Sequence, residues 1–210
     1  MATLKSKTRP FNQSEFDEFV LEFKKESDRA AVILGAAKLD LLLYQVLQQH
    51  FAPCTTSRDE LLDGDGPLGT FSSKILIASR LGLIDNEFTR ALQLVRKIRN
   101  AFAHEISGCT LDSGAHRDRV RELVAPFIHK KAFALIRETH FDGRNDPSTN
   151  FRTILAFLVA RLDVLFNHTE VIDTSKAIRI LNKQSLALGD IEPDENVSPK
   201  SIKKLPKQKS

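Results

Sequence analysis

Tryptophan is absent from this 210-residue chain, and tyrosine and methionine each occur once. Phenylalanine occurs 14 times. Interfaces and base-stacking platforms recruit Tyr and Trp, whose rings carry a polar handle that Phe lacks. The imbalance predicts rings packed in an interior and argues against an aromatic platform for nucleic acid. Cysteine is scarce too. Cys54 and Cys109 have no CxxC spacing and no histidine at a ligand interval, which predicts two free thiols in a reducing compartment. The six histidines form neither an HxH nor an HExxH pattern, so the sequence predicts no metal site and no cofactor. No unbroken apolar run reaches the roughly 18 residues of a membrane span. The N-terminal stretch lacks the apolar core of a signal peptide. The expectation is a cytoplasmic protein with no membrane contact.

Acid is missing from both ends. Residues 1–10 hold Lys5, Lys7 and Arg9, and residues 197–210 hold Lys200, Lys203, Lys204, Lys207 and Lys209, with no Asp or Glu in either stretch. The formal net charge of +4 is therefore a property of the arms, because the body between them holds all 27 acidic residues and fewer basic ones. Nucleic-acid-binding folds usually carry their basic patch on a structured face. Flexible lysines give salt-sensitive, non-specific attraction to polyanions instead.

Apolar residues make up 41% of the chain and charged residues 28%, the composition of one ordinary globular domain. Nearly all of it follows helical spacing. Ser14-Glu15-Phe16-Asp17 reads as a variant capping box opening a short helix that carries Phe16, Phe19, Val20 and Phe23 on one face. A helix over about 28–50 is apolar around much of its girth and is expected at the centre. Further helices are expected over about 72–81, ending at Gly82, and over 87–103. Between 116 and 138, Pro126 must kink the helix or start a new one. A strongly amphipathic helix follows over 150–168, and a weaker one over 174–188. With no period-two runs, the fold class is all-α: a single helical-bundle domain over 11–188 and a disordered Lys-rich tail over 189–210.

Two motifs carry more polar and glycine residues than a bundle needs. On the fourth predicted helix, Leu94, Val95, Ile98, Ala101 and Phe102 form the buried face, while Arg96, Arg99, Asn100 and His104 take the opposite half. A histidine moves protons near neutral pH and an arginine holds phosphoryl oxygens, so the set suits metal-free phosphodiester chemistry. The same pattern also fits an ordinary solvated face whose Asn100 and His104 cap the helix end, and short motifs recur by chance. The second motif is Gly66-Pro67-Leu68-Gly69-Thr70-Phe71-Ser72-Ser73-Lys74. Its glycines and proline predict a tight turn, and Thr70, Ser72 or Ser73 can cap the following helix. Gly69 is followed by Thr70 rather than by Lys in Walker spacing, which excludes a P-loop.

Arg99-Asn100-x-x-x-His104 resembles the R-x4-6-H signature of HEPN domains, small helical bundles that include metal-independent endoribonucleases of toxin and phage-defence systems. That resemblance implies catalytic Arg99 and His104, with Asn100 beside them, meeting across a dimer. A longer series is similar to the mannitol operon repressor (MltR-like) family. It comprises Glu26-Ser27-Asp28-Arg29, Leu39-Asp40, the Gly66–Lys74 motif, Leu81-Gly82-Leu83-Ile84, the Arg96–His104 stretch and Arg121-Glu122-Leu123, and it spans about 26–168. This resemblance implies a negative transcriptional regulator that acts as a protein-interaction module, without a base-reading motif of its own. A homo-oligomer and a protein partner are the expected company, with non-specific nucleic-acid contact through the tail. The expected partner surface is Arg96, Arg99, Asn100 and His104 together with Asp28 and Arg29, while Gly66, Pro67, Gly69 and Ser72 shape a structural corner.

Overall fold

Most of the helices begin on a side chain that closes the first turn. Asn12, Ser27, Thr70, Asp85 and Asp146 accept hydrogen bonds from the amides of Glu15, Ala30, Ser73, Phe88 and Thr149, at 2.7–3.2 Å. The computed structural model describes residues 12–54, 56–105 and 108–173. Over these residues the chain forms seven helices and no strand: α1 Gln13–Lys25, α2 Asp28–His50, α3 Phe71–Arg80, α4 Asn86–His104, α5 Gly114–Val124, α6 Lys131–Phe141 and α7 Pro147–His168. The helical-bundle expectation holds. The cap of α1 is Asn12 rather than Ser14, because helical geometry begins two residues earlier and Ser14 faces solvent inside the first turn. Pro126 falls in the turns that separate α5 from α6. The expected helix over 174–188 and the tail over 189–210 lie outside the described residues.

α2 and α7 are the central pair, flanked by α3 and α4 on one side of α2 and by α5 and α6 on α7. Gly35 lets them approach, since a Cβ there would sit 2.4 Å from Leu155 Cδ1. Phe23, Phe102, Phe127, Phe133 and Phe151 are among the largest fully buried side chains, as the Phe-rich composition implies. By length and composition α2 is long and apolar enough to cross a membrane, although Lys38 and Asp40 break its apolar run. Half of the qualifying stretch is buried within the bundle, which is how the central helix of a helical core also passes that test.

Candidate functional site

Residues 59–69 form a compact loop that ends at the start of α3. The Asp59 carboxylate accepts from the Leu61 and Leu62 amides at 3.0 Å, and Leu62 is buried beneath the loop. The Tyr44 hydroxyl donates to Asp63 at 2.9 Å, and that bond pushes the phenol pKa above its ordinary value, so the proton stays on Tyr44. The Gly69 amide donates to the Gly66 carbonyl at 2.9 Å, closing the expected turn around Pro67. Neither glycine tolerates a side chain. A Cβ on Gly66 would lie 2.5 Å from the Glu60 carbonyl oxygen, and one on Gly69 would lie 2.1 Å from that of Gly64. Lys74, buried on the first turn of α3, pairs with Asp40 of α2 at 2.8 Å and lies over the Tyr44 ring. The Lys74 and Asp40 of the motif series thus fasten α3 to α2.

This corner forms one wall of a groove of about 410 Å³. Ile33, Ala36 and Ala37 of α2 make it apolar on one side, Gly69 to Ser72 lead into α3, and Arg96, Arg99 and Asn100 project from α4. The two motifs singled out in the sequence therefore meet in space. Arg96 Nε donates to Gln93 Oε1 at 2.9 Å, and Arg99 Nη1 donates to Asn100 Oδ1 at 3.1 Å. Among the described residues neither arginine has an acidic side chain within ion-pair range, and Asp40, the acid in the groove, is held by Lys74. The positive end of the α3 dipole adds to this field. The groove therefore suits a carboxylate, held by guanidinium forks and an amide. Thr70→Ala removes the cap at its edge. The expected cost is about 1 kcal/mol with the fold intact, measured by thermal unfolding.

The other expected site residues lie elsewhere. His104, the last residue of α4, is exposed and does not line the groove. It sits about 140° around the helix from Arg99, so one chain does not bring the R-x4-H pair together in this groove. Asp28 opens α2 and pairs with Arg152 of α7 at 2.9 Å. It also accepts from the Leu111 amide at 2.9 Å and from Ser148 Oγ at 2.5 Å. Arg29 does reach α4, donating to the Glu105 carbonyl at 2.5 Å. Asp28 and Arg29 thus hold the bundle together, while Arg96, Arg99 and Asn100 face the groove. The apolar wall from α2 was missed in the sequence because it belongs to a helix that reads as wholly interior.

A chain in the X-ray structure of the MtlR-HPr complex from Escherichia coli is similar to this one. The likeness has a TM-score of 0.50 at 20% identity and covers 73% of this chain and 99% of that chain. At that identity it establishes a shared fold. No family model matches the sequence, and no curated protein matches it.

Proposed function

We propose that this chain is a regulatory protein-interaction module of the MtlR kind, which restrains transcription by holding a partner protein rather than by reading bases. The observation that carries this reading is the groove between α2, α3 and α4, where Arg96 and Arg99 lack acidic partners among the described residues. An acidic side chain of a docking protein supplies what they lack. The fold likeness to a chain from a complex of MtlR with HPr supports a protein as the occupant and makes HPr the first partner to test. The mildly acidic body opposes DNA as the direct target. Leu34 and Leu41, each 50% exposed on α2, support a contact with a second copy of the chain.

The test is titration calorimetry of the full chain with HPr. Saturable binding is expected, with Arg99→Glu weakening it at least about thirtyfold, because breaking a desolvated charge pair costs about 2 kcal/mol or more. Lys97→Glu makes the same charge change on an exposed position of α4 outside the groove and is expected to leave binding nearly intact. Equal losses from both reversals would remove the groove from the reading. No binding by the wild type would remove HPr. RNA cleavage in EDTA that disappears in His104→Ala would replace the regulator with a nuclease.

A further inference from the structure

The end of α4 carries a second constellation that uses none of the groove residues. Glu105, the C-cap of α4, Cys109 in the following loop and His116 of α5 bring a carboxylate oxygen, a thiol sulfur and an imidazole nitrogen within 4.8 Å of one another. Cys109 Sγ donates to Glu105 Oε2 at 2.5 Å, and His116 Nε2 lies 2.9 Å from Glu105 Oε1. We propose that Glu105, Cys109 and His116 form a zinc site with an open fourth position.

Two observations support this assignment. The first is the donor set. Thiolate and imidazole favour zinc over the hard cations, and three protein ligands with a free position make a common arrangement. Bonds of about 2.0–2.3 Å to a shared ion require donors roughly 3–4 Å apart, so small side-chain shifts suffice. The second is rigidity. His116 is buried and packed against Phe102, with ring centroids 4.6 Å apart and the planes tilted by 56°, which holds Nε2 toward the other two ligands. The loop bearing Cys109 is pinned by the Leu111 amide bond to Asp28, and the Glu105 carbonyl is held by Arg29. The imidazole makes its polar contact through Nε2, at the cluster, and zinc bound there would fix the ring proton on the buried Nδ1. Glu105 is exposed and Cys109 half-buried, which leaves an approach from solvent and a fourth position for water or a ligand from another molecule. Binding displaces the thiol proton and leaves a zinc–thiolate bond, with no change of oxidation state.

The test is titration of the reduced full-length chain with Co²⁺, followed by displacement with Zn²⁺. One Co²⁺ per chain is expected, with visible ligand-field bands of tetrahedral cobalt and a near-ultraviolet thiolate band, both abolished by Zn²⁺. Cys109→Ser removes the thiolate band and weakens zinc at least about a hundredfold, more than losing an outer-shell partner does. Glu105→Gln, at an exposed position, weakens zinc without threatening the fold. Cys54→Ser, at the exposed cysteine of another loop, retains the full signal. Absence of a thiolate band in the wild type overturns the site, as does a band that survives Cys109→Ser or vanishes in Cys54→Ser. Any of these outcomes would leave the three residues as a hydrogen-bonded corner.

Discussion

Asp28→Ala is expected to destabilise the protein by about 3–5 kcal/mol, the usual consequence of stripping the partner from a buried charge. For a domain of this size the melting temperature should fall by roughly 10 °C. The Arg152 side chain is 9% exposed and that of Asp28 17%. Arg152 also donates to the Glu26 carbonyl at 2.7 Å, so its guanidinium cannot swing to solvent without releasing the turn before α2. The Leu111 amide and Ser148 lose their acceptor in the same substitution. Asp28→Ala/Arg152→Leu should recover much of the loss, because an apolar pair leaves no orphaned charge. Thermal unfolding of the wild type and the two variants reads this directly, and an Asp28→Ala protein within about 1 kcal/mol of wild type would show that Arg152 is compensated from elsewhere.

The same carboxylate gives the stability a pH dependence of known sign. Burial alone would raise the Asp28 pKa, but the bonds from Leu111, Ser148 and Arg152, with the arginine charge, outweigh it and leave the folded value below the ordinary 3.8. A folded pKa below the unfolded one means the stabilisation is fully present above pH 3.8. It is lost as pH falls from there through the lowered folded value. Asp146, the cap of α7, is shifted in the same direction, with burial again outweighed by the Thr149 bonds and Arg144. The difference between wild type and Asp28→Ala should therefore be constant near neutrality and shrink below about pH 4.

Asp28 also separates what the sequence displays locally from what only the fold brings together. The helices were legible because their signals are local. Gly82 after α3, Pro126 after α5 and the apolar stripe of α7 each act within a few residues, and α2 matches its expected span of 28–50. The pairing of Asp28 with Arg152 spans 124 residues and has no local signature. Glu26-Ser27-Asp28-Arg29 was legible as a motif but not as the clasp between α2 and α7. The groove was half legible. The polar face of α4 and the turn before α3 could each be read, but that they face one another depends on how α2 packs. The i, i+4, i+8 spacing also placed His104 with Arg96 and Asn100, yet the residues before α3 reach only the Arg96–Asn100 turn of α4. Glu105, Cys109 and His116 converge because α4 and α5 fold back on each other around a loop, and no ligand spacing announces that.

Gly69→Ala is expected to cost about 3 kcal/mol or more, the upper range for forcing an extra carbon into a packed site. The atoms a Cβ would meet are all backbone: the Gly64 carbonyl oxygen at 2.1 Å, its carbon at 3.1 Å and the Gly66 oxygen at 3.2 Å. No rotamer change relieves such a clash. The loop would have to open by about 1 Å, yet it is held by the Gly66 amide on Asp63, the Leu68 amide on Leu61 and the buried Leu62. The contrast with Thr70→Ala is informative because the two positions are adjacent. Losing the cap frees one amide and leaves the chain path unchanged, whereas a methyl on Gly69 displaces the path itself. Since Gly69 to Ser72 form one lip of the groove, Gly69→Ala should weaken partner binding even below its own melting temperature, and Thr70→Ala much less. Thermal unfolding and partner titration on the same two proteins check this. Equal stability of Gly69→Ala and wild type would mean that the close approach of the two loop strands does not exist, and with it would go the shape of the groove that Arg96 and Arg99 face.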